Sequence, residues 1–237
     1  MSRMKTDAFQ LLADEDDFII INKMPDISVH KDQADEGLID ILKQACGAPA
    51  LYQIHRLDKM TSGLLVYAKS YQAARLLSEE WQSRSVSKYY LAISDKKPSR
   101  KQGLVKGDMV KSRGGSWRLQ QSVENPAITQ FFSTSLVPGI RAFLLRPHTG
   151  RTHQIRVAMK SLGSPILGDT RYASAGEGAA NVDRGYLHAY QLGFELKGRT
   201  WSYQATPTEG MWFTHPAMQA LLLGQWQQPG LLPWPVL

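Results

Sequence analysis

Residues 51–68 read Leu51-Tyr52-Gln53-Ile54-His55-Arg56-Leu57-Asp58-Lys59-Met60-Thr61-Ser62-Gly63-Leu64-Leu65-Val66-Tyr67-Ala68, a polar segment set between two apolar runs. Short apolar runs bounded by turn-forming residues predict core strands, so His55 to Gly63 reads as the loop that joins two of them. Loops fixed by a rigid scaffold are where catalytic groups concentrate. This one offers a single carboxylate, Asp58, flanked by cations and followed by two hydroxyl residues and a glycine. The same residues also suit a plain turn in which Asp58 caps the Thr61 or Ser62 amides. The spacing alone leaves both readings open.

Working outward, Phe18 to Ile21 is a buried strand between the acidic Asp14-Glu15-Asp16-Asp17 and Pro25. Leu38, Ile41, Leu42 and Ala45 fall at i, i+3, i+4 and i+7, which predicts an amphipathic helix with Asp35 as its cap and Gly47 as its stop. Tyr71 to Arg84 has the same periodicity, and Val86 to Ile93 returns to strand character. Further on, Leu104 to Val110, Ile128 to Ser135 and Ile140 to Arg146 are strands separated by Gly, Pro and Ser. Thr152 is placed to cap a helix running to Leu162 and ended by Gly163 and Pro165. Strands at His188 to Leu196 and Thr200 to Thr206 precede a helix at Pro216 to Leu223, and the tail from Gln225 to Leu237 reads as irregular surface chain. Strands and helices without regular βαβ alternation predict an α+β fold.

The 237 residues, 43% hydrophobic and 21% charged, fit one domain rather than a disordered or fibrous chain. No repeat or long linker divides them, so the expectation is a single domain over 1–237 with a core at about 15–224. A net charge of +7 favours a polyanionic partner. The lone Cys46 cannot form an internal disulfide and points to a reducing, cytoplasmic setting. With no apolar leader and no run of eighteen apolar residues, neither secretion nor membrane spanning is expected.

A second dense cluster, Arg146-Pro147-His148-Thr149-Gly150-Arg151-Thr152-His153-Gln154-Ile155-Arg156, leads into the third helix. Successive helical residues differ by about 100°, so Ile155 can face the core while Arg156 projects beside it. An arginine at a core edge needs a carboxylate, and one beside Asp58 would keep that acid ionised. The alternative is a basic first turn whose amides bind phosphate. His148, His153 and Asp169 do not match a familiar zinc spacing, and no Gly-rich phosphate loop is present; no metal or cofactor is expected. His30, His188 and His215 read as structural or surface residues. Basic residues concentrate at Lys96 to Lys101, Lys106 to Arg118 and Arg141 to Arg156. With Trp117 and the Tyr89-Tyr90 pair they suit a phosphate backbone and unpaired bases, whereas Trp81, Phe131, Phe132 and Phe143 suit core positions.

Five motifs in order make the pattern specific: His55-Arg56-Leu57-Asp58-x-x-Thr61-Ser62-Gly63, Lys88-x-Tyr90-Leu91-Ala92, Gly150-Arg151-Thr152-His153-Gln154-Ile155-Arg156-Val157, Pro165-Ile166-Leu167-Gly168-Asp169 and Leu187-His188-Ala189. Over residues 15 to 200 the chain resembles RNA pseudouridine synthases of the RluA family. The resemblance implies the pseudouridine synthase fold, a mixed, mainly antiparallel sheet flanked by helices and loops around a catalytic cleft. It implies isomerisation of uridine in RNA, in which the N1–C1′ bond breaks and C5 is joined to C1′. That change is redox-neutral and hydrolyses nothing, so it calls for no cofactor and no metal. Asp58 would be the catalytic carboxylate, Arg156 its ion-pair partner, and Tyr90 the ring against the target base, assisting loss of the C5 proton. Arg56 would fill the space left by the flipped uridine. His55, Thr61, Lys88, Arg151 and His153 would contact RNA.

Two departures stand out. Relatives often carry Lys-Pro-x-Gly where this chain has Lys23-Met24-Pro25-Asp26, and a His that commonly follows the Arg-Val pair is Ala158 here. Many relatives also carry an N-terminal S4 domain; with the first core strand near Phe18, none is expected. The implied partner is a structured RNA, a ribosomal or transfer RNA stem-loop, bound by a monomer without an obligate protein partner. Against this reading stand a non-catalytic RNA-binding protein on the same scaffold and a metal-dependent phosphoesterase built on His148, His153 and Asp169.

Overall fold

The acidic segment Glu15-Asp16-Asp17 joins two antiparallel strands, β1 (Phe9–Asp14) and β2 (Phe18–Lys23). The structure is a computed structural model and describes residues 6–29, 37–173 and 182–237. Two compact units emerge, Met1–Ser87 with Ala189–Ala205, and Lys88–His188 with Thr206–Leu237.

In the first unit β2 is buried along its whole length, as its apolar run requires. It pairs antiparallel with β4 (Ser62–Ala68), equally buried, and β11 (Leu187–Leu196) lies beside β4. β3 (Tyr52–Gln53) pairs with β4, and β12 (Arg199–Gln204) runs antiparallel to β11. Two helices complete the unit. α1 (Leu38–Cys46) buries Leu38 and Leu42 and stops at Gly47, whose φ of +60° is cheap only for glycine. Its N-cap position is Gly37; the expected cap, Asp35, lies outside the described residues, as does His30. α2 (Tyr71–Ser83) buries Ala73 and Leu77, and the Ser70 hydroxyl accepts the Ala73 N–H at 3.1 Å as a true N-cap.

β1 is a strand that the sequence reading placed outside the core. Phe9 is fully buried, the next four residues are half-buried and Asp14 is exposed, and Gln10 and Asp14 break its apolar residues into too short a run to stand out. Gly63 explains one motif position. Its φ is +109°, and a Cβ there would lie 2.3 Å from the Ala189 carbonyl oxygen, so only glycine lets the chain pass.

The second unit is an antiparallel sheet in the order β5 (Ser87–Ser94), β10 (Ile140–Pro147), β9 (Ala127–Val137), β6 (Gln102–Gly107). The strand expected from Leu104 to Val110 is two strands. Asp108 breaks it, its main chain bonding to Ser122 and Gln120 and its carboxylate accepting the Glu124 and Asn125 amides. Beyond the break β7 (Met109–Lys111) forms a separate hairpin with β8 (Trp117–Leu119). α3 (Gln154–Ser161) and α4 (Pro216–Leu223) complete the unit.

The tail departs from its expectation. Trp226 is buried, and Trp234 packs 4.7 Å from Phe132 and 5.8 Å from Tyr89, with the Arg146 guanidinium near both the Tyr89 and Trp234 rings. Gln130 donates to the Pro235 carbonyl. A Pro-rich chain reads as surface because it forms no regular element, but two tryptophans carry enough apolar area to dock it.

Candidate active site

Asp58 sits in the loop between β3 and β4, and the main chain shapes that loop. The Thr61 N–H donates to the Asp58 carbonyl at 2.9 Å, a main-chain bond across the turn. Leu57 and Thr61 point inward and are buried, Asp58 is half-buried, and Arg56 and Lys59 are exposed. Below the loop lies Lys23, with no solvent exposure at all. Its ammonium donates to the carbonyls of Met24 at 2.8 Å, Ile27 at 2.9 Å and Lys59 at 3.1 Å. A buried charge is tolerated only when its donors are used, and here it ties the chain after β2 to the residue following Asp58. Asp26 takes φ +60° in that stretch, a left-handed conformation Asp adopts better than most residues, which accommodates the departure from the relatives' glycine. His55 accepts the Val66 N–H through Nε2 at 3.3 Å, which places its ring proton on Nδ1, and stacks on Trp81 at 5.0 Å.

In the second unit, Arg156 is buried on α3 and grips Asp169 with two parallel bonds, Nε to Oδ2 and Nη2 to Oδ1, both 2.8 Å. The Tyr172 ring lies 5.0 Å from the guanidinium carbon. The Tyr172 hydroxyl accepts the Trp117 N–H and bonds to Nδ1 of His153, each at 2.9 Å. Burial pushes the Tyr172 phenol up, so it stays protonated and can donate to that imidazole.

The helix does not start as expected. His153, at φ +57°, occupies the N-cap position without a side-chain cap, and Thr152 is exposed. Gln154, the first residue of the helix, braces the turn before it: its Oε1 accepts from the Thr149 hydroxyl at 2.7 Å and the Arg151 N–H at 3.0 Å, while its Nε2 donates to Ile128 and Thr129. Arg151 is exposed and reaches the Asn125 side-chain oxygen. His148 bonds to the Gln130 oxygen at 2.6 Å. Because the Gln130 nitrogen donates to Pro235, its oxygen must accept, so His148 carries its proton on Nε2. Burial, then Arg146 and Lys88, hold the His148 pKa below the usual histidine range. The three groups of the metal reading therefore have three other partners: Gln130 for His148, Tyr172 for His153, Arg156 for Asp169.

Tyr90 lies half-buried on β5 opposite Leu145 of β10, and Lys88 is half-buried on the same strand. Strand alternation turns Tyr89, the ring beneath the tail, to the opposite face from Tyr90. The sequence reading passed over Tyr172, quoted Lys23 and Gln154 in motifs without giving them a role, and gave Asp169, the last residue of its own motif, a role only in the metal alternative. The available signals were a lysine ending an otherwise apolar strand and a Gly-Asp pair after an apolar run.

Comparison with known proteins supplies the rest. The model of the RNA pseudouridylate synthase family matches residues 17–161, a stretch that takes in Asp58, Tyr90 and Arg156. An uncharacterized RNA pseudouridine synthase of Haemophilus influenzae is 48% identical over 202 residues, covering 85% of this chain and 89% of that protein. The tRNA pseudouridine synthase C of Pasteurella multocida is 30% identical over 214 residues, 78% of this chain and 85% of its own. The ribosomal large subunit pseudouridine synthase C of Rickettsia bellii is 35% identical over 170 residues, but the match spans only 56% of that protein. Among solved structures, human RNA pseudouridylate synthase domain containing 4 superposes with a TM-score of 0.71 at 25% identity, over 89% of this chain and 92% of that one. With the α+β architecture already in place, these matches make the chain a member of the RNA pseudouridine synthase family of the RluA type, isomerases that act on RNA.

Proposed function

We propose that this chain converts a particular uridine in a ribosomal or transfer RNA stem-loop to pseudouridine, with Asp58 as the catalytic carboxylate. The observation that carries the reading is the family match, which takes in Asp58, Tyr90 and Arg156 in one continuous stretch. In the reaction the N1–C1′ bond breaks, the base turns over, C5 joins C1′, and the proton lost from C5 is balanced by one gained at N1. Asp58 initiates departure of the base as an ionised carboxylate. Arg156 keeps that carboxylate charged, and Tyr90 packs on the base and assists removal of the C5 proton. Arg56, exposed at the loop, fills the stack vacated by the flipped nucleotide; His55, Lys88, Arg151 and His153 contact the RNA, whereas Thr61, expected to do so, is buried beneath the loop. The reading also takes the enzyme to be a cytoplasmic monomer, a single domain over 1–237, that needs no cofactor.

The test is incubation with total RNA from cells lacking the protein, followed by site-resolved mapping of pseudouridine. Wild-type protein is expected to restore modification at a defined position, and Asp58→Ala is expected to restore none. RNA binding without modification by the wild type would instead indicate a non-catalytic binder. Names among the relatives include both ribosomal and transfer RNA synthases, so both RNA classes belong in the assay.

A further inference from the structure

The motif Pro165-Ile166-Leu167-Gly168-Asp169 has no part in the chemistry above, yet the fold invests heavily in placing its last residue. Leu167 donates its N–H to Ile93 of β5 and accepts the Tyr186 N–H, which pins the segment to the sheet of the second unit. Gly168 then turns with φ +78°, where a Cβ would lie 2.2 Å from the Arg184 carbonyl oxygen. The turn delivers a carboxylate with no solvent exposure to an Arg156 side chain only 8% exposed. Asp169 receives four N–H groups: Arg156 Nε and Nη2, and the amides of Arg171 and Tyr172 at 3.0 and 3.2 Å. Tyr172, so fixed, lays its ring by the guanidinium.

A planar guanidinium held by two bonds on one edge and a ring at its face has its remaining orientation settled. We propose that Asp169 is a positioning residue of the synthase reaction, a buried counter-carboxylate that sets the plane and reach of Arg156 without touching RNA. The inference rests on the proposed role of Arg156 and deepens it.

Asp169→Asn is the informative change, because the bonds divide by atom. An amide oxygen in the place of Oδ1 still accepts from Arg171, Tyr172 and Arg156 Nη2, whereas an amide nitrogen in the place of Oδ2 faces the Arg156 Nε–H, donor against donor. The experiment measures kcat, KM for RNA and Tm for wild type, Asp169→Asn, Arg156→Met and the double variant. The expected result is a fall in kcat of about tenfold in Asp169→Asn with KM within about twofold, and a double variant no slower than Arg156→Met alone. The double variant should also be more stable than Arg156→Met, which leaves the Asp169 charge buried and unpaired. Asp169→Glu, which keeps a carboxylate, is expected to recover part of kcat, and it serves as the test if Asp169→Asn does not fold. Unchanged kcat in Asp169→Asn, losses that multiply in the double variant, or a Glu variant no faster than the Asn variant would overturn the inference. If wild type modifies RNA and Asp58→Ala does not, any of those results counts against Asp169 alone; if Asp58→Ala still modifies RNA, the underlying reading fails instead.

Discussion

The loop of Asp58 and the helix of Arg156 are held in contrasting ways. The loop is fixed by main chain: the Thr61 N–H on the Asp58 carbonyl, and three carbonyls gathered by the single ammonium of Lys23. The helix is fixed by side chains: the Gln154 amide satisfied on both its oxygen and nitrogen, and the Arg156–Asp169 pair backed by Tyr172. A main-chain clamp leaves neighbouring side chains open, so Arg56 and Lys59 stay exposed beside the carboxylate. A side-chain clamp uses almost every residue it spans. The loop should therefore fail through stability when its one buried cation goes, and the helix through rate when its aim is lost.

The largest expected effect is on the helix. Arg156→Met should lower kcat about 100-fold while RNA affinity changes little, a loss typical of removing one fixed charge from a reacting centre. Measured by single-turnover kinetics beside an RNA binding isotherm, the opposite outcome, a normal rate with weak binding, would reassign Arg156 to phosphate contact. Next comes the loop. Lys23→Met leaves three main-chain carbonyls, one of them buried, without this donor and should cost about 3 kcal/mol, lowering Tm by about 10 °C. Thermal denaturation showing no shift would mean that the carbonyls find other donors, and the contrast between the two regions would collapse. A smaller effect is expected at the tail, where Trp234→Ala uncovers Phe132 and Tyr89 and should cost about 2 kcal/mol with kcat unchanged, since it acts on the face of β5 away from Tyr90. Urea unfolding checks the first part and the modification assay the second.

The smallest expected effect depends on pH. His148 has a depressed pKa when folded, from burial first and then from Arg146 and Lys88. The unfolded chain takes up a proton near pH 6.5 that the native protein accepts only at lower pH, so the stability contribution present above about pH 6.5 is lost as pH falls through the folded pKa. His148→Asn should flatten the decline of Tm between pH 7.5 and 5. Equal slopes in the two proteins would show that His148 is not the group responsible.

The same contrast explains what could be read from the amino acids. A side-chain clamp leaves a dense string of unusual residues, so Gly150 to Val157 stood out at once. The clamp under Asp58 comes from Lys23, 35 positions upstream, and no local spacing connects the two. Strands buried along their whole length, β2 and β4, were visible as apolar runs. The edge strand β1 and the β7–β8 hairpin were not, because partial burial leaves a mixed composition. Thr152 was a sound candidate for a cap by residue type. The helix starts later, after His153 at φ +57°, because the Gln154 amide reaches back to Thr149 and the Arg151 N–H and braces the turn before it, which a local rule about hydroxyls does not anticipate.

The account turns on one carboxylate, and the rate of pseudouridine appearance under single-turnover conditions with enzyme in excess tests it most directly. Asp58→Asn keeps the side chain's size and should keep RNA affinity and Tm near those of the wild type, while the rate falls by a factor of about 10⁴ or more. A variant that isomerises its uridine at the wild-type rate would contradict the assignment of Asp58 and leave the family's reaction without its acid in this chain.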